Sequence, residues 1–421
     1  MAGDTATTLA SFFKTYYRDT MNTDVPNASD MGRMIEAEAR EITAGGTSLN
    51  VTWNNKSADG VGIGTITDGG DYPAAQYSVP LQYALGLSHI GFTVSFTGHS
   101  EAMGTSAKAG WIKKKLAKEK GKELRDKARS LLARFFMWDG TTTWGTIGAV
   151  SGTTNGLITP SGIPIHFFQK QEVLTIRDTA SGGSEQLTGA AGSGRIVEVD
   201  ELNGVVYCAD VTGAATSDVI SLANVYDTTV PNGIRNIVDS GGAIQGVTRT
   251  TVGNFMAKAI ERDASSAALS PSRVDELRDL VMDQASKRGN YKTRWCGNRK
   301  MRRWATLATI GQNRFANLSL SIGNASMTVN DKDGPKEFVE DQYIADGELY
   351  AICANALVKA YPEGMKGGYP VENASGGVLW QANASSGAGH ADNRFMYWVV
   401  RCNLGADDFR CHGKDTNLAS P

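Results

Sequence analysis

From Ser106 to Trp138 the sequence contains no proline and is dense in Ala, Leu, Lys, Glu and Arg, the residues that lose least on entering a helix. This predicts a single helix near residues 105–138, roughly 50 Å long at 1.5 Å per residue. Such a rod is longer than most compact domains need, so it must span the molecule. Ile112, Leu116, Leu124, Ala128, Leu131 and Phe135 make one apolar face, but Lys120 interrupts it and the middle is mostly charge; burial is therefore expected at the ends. Between Ala107 and Arg134 eleven basic residues stand against Glu119, Glu123 and Asp126, a local charge of +8 in a chain whose net charge is −2. Two readings stay open: a solvated helix kept soluble by i, i+4 pairs, or a helix meeting acidic partners, either neighbouring subunits or a polyanion. Aromatic residues are not interleaved through the charged part, so contact with phosphates would be nonspecific.

The rest of the composition is that of a globular protein. With 421 residues the chain can bury a large core and divide into two or three units. Its 48 glycines beside 11 prolines point to tight turns and plentiful β-structure. Met1-Ala2-Gly3-Asp4 does not begin a basic and apolar leader, and no run approaches the roughly 18 apolar residues of a membrane span. A soluble, non-exported protein is expected. Cys208, Cys296, Cys353, Cys402 and Cys411 are odd in number and far apart, which argues for buried thiols in a reducing cytoplasm over a disulfide framework or zinc site.

Changes of pattern divide the chain into five parts. Residues 1–43 read as a polar arm with two short helices lying on a surface, the second capped by Ser29-Asp30. Residues 44–104 carry short β runs at Leu49–Trp53, Val61–Ile66, Tyr77–Tyr83 and Ile90–Phe96 around Asp68-Gly69-Gly70-Asp71, an extended hairpin that needs a neighbour to lean on. Residues 105–162 hold the long helix and a Gly/Thr-rich connector from Gly140. Residues 163–240 form a β-rich module with strands at Ile163–Phe168, Glu172–Arg177, Gly194–Asp200, Val205–Ala209 and Asp218–Leu222, and with a tight turn at Leu202-Asn203-Gly204. Residues 241–421 are mixed. A helix is predicted from Pro271 to Lys287 behind Ser270, another near Asn298–Ile310, with strands at Lys292–Cys296, Ser326–Asn330, Glu337–Tyr343, Leu349–Cys353, Val378–Asn383 and Phe395–Cys402. Together these make an α+β chain with antiparallel character.

Catalytic motifs do not assemble. Gly60-Val-Gly-Ile-Gly64 lacks the third glycine of a dinucleotide loop and suits one strand face. Ser11-Phe12-Phe13-Lys14 stands without the companion motifs of a nucleophilic serine. His89, His99, His166, His390 and His412 include no i, i+4 pair, and Cys402, Cys411 and His412 read as core residues before metal ligands. Arg299-Lys300-Met301-Arg302-Arg303, at the start of a helix, reads as surface. No enzyme activity, cofactor or metal is expected.

The order of parts carries a resemblance: a polar arm, an extended hairpin, a charged helix ending Phe135-Phe136-Met137-Trp138-Asp139-Gly140, a β module, then an α+β core. It resembles the major capsid proteins of tailed bacteriophages, the Hong Kong 97-type shell fold. Arg195-Ile-Val-Glu-Val-Asp200, Val205-Val-Tyr207 and Pro231-Asn-Gly-Ile-Arg-Asn-Ile-Val-Asp239 look like the β insertion of one branch of such proteins. The resemblance implies an N-arm, an E-loop, a spine helix in a peripheral domain, and an axial domain with returning peripheral strands. It implies hexamers and pentamers in an icosahedral virion shell assembled in the host cytoplasm, with each E-loop lying across a neighbour's spine helix. Here that assigns contacts to Asp68, Asp71 and Tyr72 on the loop, and to Lys113, Lys114, Lys115, Lys118, Lys122, Arg125 and Arg129 on the helix. Implied partners are a portal protein, a separate scaffolding protein, a decoration protein and packaged double-stranded DNA. Rival readings are an encapsulin-type bacterial compartment, which shares the fold, and a β-rich carbohydrate-active or binding protein, given Trp53, Trp144 and Trp380. A DNA-binding protein using the Lys113–Arg134 face is a further alternative.

Overall fold

The computed structural model describes residues 29–44, 48–52, 82–97, 110–152, 154–179, 183–188, 193–223, 225, 230–250, 257–285, 292–312, 328–331, 334–362, 369–370, 379–383 and 390–420. The first described element, α1 (Asp30–Glu38), begins where the sequence places it, with Ser29 Oγ accepting from the Gly32 N–H at 3.0 Å. It is not a surface arm, however. Met31, Met34 and Ile35 recur at helical spacing and are buried, and Lys359, itself 3% exposed, donates to the Glu36 carbonyl at 2.7 Å. The polarity that suggested a surface position belongs to one face only. Strand β1 (Arg40–Ala44) follows. The hairpin stem is an antiparallel ladder of β2 (Ser48–Thr52) and β3 (Gln82–Gly86); the predicted strand at Val61–Ile66 lies outside the described residues. Ile90–Phe96 falls in β4 (Ser88–Thr97), which leaves the hairpin to join a larger sheet.

The predicted long helix is α2, Gly110–Met137. After it the chain builds a six-stranded antiparallel sheet from β5 (Thr143–Ser151), β6 (Thr154–Ser161), β7 (Leu174–Arg177), β8 (Ile196–Asp200), β9 (Val205–Asp210) and β10 (Val219–Leu222), in the order β7-β10-β5-β6-β9-β8. The Gly/Thr-rich stretch read as a connector is thus a hairpin at the centre of this sheet, and the hydrogen bonds cross the expected boundary between residues 162 and 163. By contrast, Ile163–Phe168 is not a strand. Pro164 has no N–H for a ladder, and Ile165–Phe167 form a 3-10 turn that sends Phe167 and Phe168 into the core. The predicted tight turn is present: Gly204 takes φ +67°, and the Asp200 carboxylate accepts from the Leu202 and Asn203 N–H groups at 3.0 and 3.1 Å.

A short helix, α3 (Ile234–Ile237), and a two-stranded ribbon of β11 (Ala243–Ile244) and β12 (Val247–Thr248) lead into a second six-stranded sheet. Its elements are β13 (Ile260–Asp263), α4 (Pro271–Gln284), β14 (Thr293–Gly297), α5 (Arg299–Gln312), β15 (Thr328–Asp331), β16 (Gly334–Glu340) and β17 (Leu349–Cys353). Ser270 Oγ accepts from the Arg273 N–H, Pro271 fills the first helical position, and Asn298 Oδ1 accepts from the Met301 N–H at 2.9 Å. Both helices pack on one sheet face, where Val274, Leu277, Val281, Met301 and Ala305 enclose Trp295 and Ala351. Cys296, Tyr350 and Ile352, pointing the other way, join the main core.

The remaining strands are β18 (Leu357–Pro362), β19 (Tyr369–Pro370), β20 (Leu379–Asn383), β21 (His390–Ala406) and β22 (Gly413–Thr416). β22 completes the second sheet between β13 and β17. The others go back to the start of the chain. β21 pairs antiparallel with β4 from Cys402↔Ser88 to Asn393↔Thr97, and β18 runs parallel to β1. A third sheet is thereby built from β1 and β4 near one end of the described chain and β18–β21 near the other. Tyr83 locks the hairpin stem to it: its hydroxyl donates to Ala406 O at 3.0 Å and accepts from the Ala406 N–H at 3.1 Å. Burial pushes the phenol well above its usual range, against the opposing effect of the backbone hydrogen bond to Ala406.

Candidate assembly surface

Helix α2 organises the candidate surface because it touches two of the three sheets. Leu124, Ala128, Leu131 and Phe135, the predicted apolar face, are buried, and this part of the helix packs along β4 with its Ile90 and Val94. Ile112 and Leu116 lie on α2, but their side chains are outside the described ones. At its C-terminal end the helix is held by an aromatic cluster. Trp138 and Trp144 meet Phe167 edge to face at 5.1 and 5.8 Å, Tyr343 meets it from the loop between β16 and β17 at 5.5 Å, and Trp138 Nε1 donates to Thr143 O at 2.7 Å. Gly233 permits the close approach of α3, since a Cβ there would overlap the carbonyls of Phe135 and Trp138.

Among the described basic residues of α2, Arg134 behaves unlike the others. Arg134 is 1% exposed and makes a two-pronged pair with Glu172, at 2.7 and 2.6 Å. It also donates to Phe167 O at 2.7 Å, with its guanidinium 5.0 Å from the centre of the Trp144 ring. This satisfied ion pair pins the helix to the β-rich module. It was visible in sequence only as a charge set within Leu131-Leu132-Ala133-Arg134-Phe135-Phe136.

The other basic residues face outward where they are described. Lys122 is exposed, Arg125 and Arg129 are half-buried, and Lys120 pairs with Glu123 at 2.8 Å. The helical period sets Lys122, Arg125 and Arg129 on one stripe, away from the Leu124–Phe135 face. Lys113, Lys114, Lys115 and Lys118 belong to α2, but their side chains lie outside the described ones, and Asp68, Asp71 and Tyr72 lie outside the described residues. The structure therefore brings Lys122, Arg125 and Arg129 together and leaves the loop side of the expected contact unplaced.

Beside the stripe, α2, β4 and the start of the β-rich module enclose an open groove of about 1060 Å³. Leu124, Leu131 and Val230 supply apolar floor, while Lys120 and Lys127 alternate with Glu123 and Asp126 around it. Both signs of charge around an apolar floor suit a polypeptide segment. A polyanion would require one sign.

Cys402, Cys411 and His412, considered for chemistry, are core residues. His412 is fully buried, its Nδ1 accepting from the Cys353 N–H at 3.2 Å, and burial drives its pKa down to about 4. Cys411 Sγ donates to Asp408 O at 2.9 Å, and burial raises Cys402 to about 12. All five cysteines are buried and unbridged. Among the described residues no group of three or more His, Cys, Asp or Glu is arranged to hold a metal, and no helix is long and apolar enough to cross a membrane.

No protein-family model matches this chain, and no curated protein does. Solved structures similar to it include protein shells. The cyanophage A-1(L) capsid asymmetric unit aligns at 12% identity over 93% of each chain, with a TM-score of 0.46. The satellite phage P4 procapsid, which includes a size determination protein, aligns at 9% identity over 96% of this chain and 90% of that one, with a TM-score of 0.41. The holo-SrpI encapsulin complex from Synechococcus elongatus PCC 7942 aligns at 9% identity over 92% and 87%, with a TM-score of 0.39.

Proposed function

We propose that this chain is a major capsid protein of a tailed bacteriophage, assembling as hexamers and pentamers into an icosahedral shell around double-stranded DNA, without catalytic turnover. The observation that carries the reading is the third sheet. Strands β18–β21 return from the far end of the sequence to pair with β1 and β4, making one peripheral unit from both sides of an intervening domain. That is the arrangement implied by a hairpin, spine helix, axial domain and returning strands in this order. In this reading α2 is the spine, the second sheet with α4 and α5 is the axial domain, and the sheet of β5–β10 is the insertion. The groove along α2 and β4 receives a segment of a neighbouring copy, and Asp68, Asp71 and Tyr72 lie on the hairpin that reaches across. A portal protein, a separate scaffolding protein, a decoration protein and nonspecific DNA contact follow as partners.

The test is direct. Purified chain, examined by electron microscopy and sedimentation across a concentration series up to about 100 μM, is expected to form rings and closed spherical particles. A species that stays monomeric throughout, with or without co-expressed phage scaffolding factors, overturns the reading. Particles that enclose a cargo enzyme in place of DNA favour the encapsulin alternative.

A further inference from the structure

We propose that α4 and α5 form the two halves of a contact between copies, the acidic stripe of α4 on one copy meeting the basic stripe of α5 on the next. This rests on the shell reading above and names surfaces that the reading leaves unspecified. On α4, Glu276, Leu280 and Asp283 recur at i, i+4 and i+7 and all face outward; the Glu276 side chain is 63% exposed and Leu280 40%. The helix carries Asp275, Glu276, Asp279 and Asp283, while its two arginines turn inward. Arg273 reaches the buried Asp415 at 3.3 Å, and Arg278 is only 7% exposed. Glu276 pairs with Arg262 at 3.2 Å on its inner side while staying mostly exposed, so what α4 presents outward is still acid around a leucine.

α5 presents the converse. Arg299, Arg303 and Leu307 recur at i, i+4 and i+8 and are exposed, Leu307 to 51%. The helix itself contains no acid; Lys300 and Arg302 pair within the chain with Asp346 at 3.0 Å and Glu340 at 2.8 Å, which leaves Arg299 and Arg303 to give the stripe its charge. Leu280 and Leu307 are two of only five large apolar side chains exposed among the described residues. Each leucine stands singly, so it is the opposite charge of the two stripes that makes them complementary.

The two stripes do not cover each other within one chain, since both remain exposed. They also cannot shift independently. α4 packs over β22 and β17, α5 over β14 and β16, all strands of one sheet, with a shared core through Val274, Leu277, Val281, Met301 and Ala305. Complementary surfaces at fixed, different places on one rigid unit are the ingredients of a head-to-tail contact, which closes a ring when the rotation permits.

Charge reversal tests this. One variant of the full chain carries Arg299→Glu and Arg303→Glu, the other Glu276→Lys and Asp283→Lys; circular dichroism checks the fold of each. Each variant alone is expected to lose at least ten-fold in assembled fraction by sedimentation. Mixed one to one, they are expected to assemble again, because each then offers the surface that the other lacks. Their rings hold an even number of subunits, so hexamers return and pentamers do not. If the wild-type chain assembles and either variant assembles equally well, or if the folded mixture stays unassembled, the contact is wrong while the shell reading stands. If the wild-type chain does not assemble at all, both fall.

Discussion

A single arginine shows how much a residue's role depends on what folds against it. Arg134 belongs by composition to the basic run of α2, yet its two-pronged pair with Glu172 makes it an internal joint. Arg134→Met leaves a buried carboxylate without its partner, which costs about 3–5 kcal/mol. The expected result is a lower melting temperature than that of the double variant Arg134→Met with Glu172→Leu, which removes both charges. Two buried titratable groups have opposite effects on pH dependence. Asp341 accepts from the Tyr343 N–H at 2.9 Å beside the start of α1, and burial raises its pKa to about 6. Its stabilising contribution is complete below the ordinary carboxylate range and is lost as pH rises through 6. His412, pushed down to about 4, contributes above the ordinary imidazole range, near 6.5, and loses that contribution as pH falls toward 4. Denaturation between pH 4 and 7 should therefore show His412→Asn reducing the acid loss of stability and Asp341→Asn steepening it. If the two variants change the profile in the same direction, these assignments are wrong.

At the scale of elements, what the sequence made legible was what local chemistry decides. Ser29 and Ser270 as caps, Pro271 at a first turn, Gly204 in a tight turn and the proline-free run of α2 each carry their own cause within a few residues. What stayed hidden depends on partners. β18 is buried at five consecutive positions, Leu357 to Tyr361, so it shows no alternation, and its Lys359 looks like a surface residue until Glu36 is set beside it. β13 and β22, Ile-Glu-Arg-Asp and Gly-Lys-Asp-Thr, look too charged for an inner sheet. Arg262 meets Asp415 twice at 2.7 Å, and Lys414 meets Glu261 at 2.9 Å, which removes the difficulty. For the candidate surface, the run of positive charge was legible, whereas the groove and the inward turn of Arg134 were not. Neutralising Lys113, Lys114 and Lys115 to glutamine is expected to impair assembly of the purified subunit even with no DNA present; normal empty shells from that variant would count against a role between subunits. A smaller change, Gly233→Ala, forces α3 off the end of α2 and is expected to lower the yield of soluble protein sharply, because the overlap is with backbone that cannot turn aside.

On the scale of the whole molecule, β21 is the member on which the most other strands depend. It pairs with β4, β18, β19 and β20, so a chain stopped at residue 389 leaves β4 without its described partner and should not yield soluble, folded protein. A well-folded truncation by circular dichroism would contradict the sheet order. The same pairing also has a consequence in time. During synthesis at about 5–20 residues per second, β4 emerges early and must wait for some three hundred further residues before β21 can join it. Helix α2 meanwhile leaves the ribosome with one side still bare, and the sheet that supports it closes only when nearly all of the described chain is out. In the proposed shell, a subunit still being translated therefore cannot polymerise, and the order of its segments acts as a clock that releases building blocks only when they are finished.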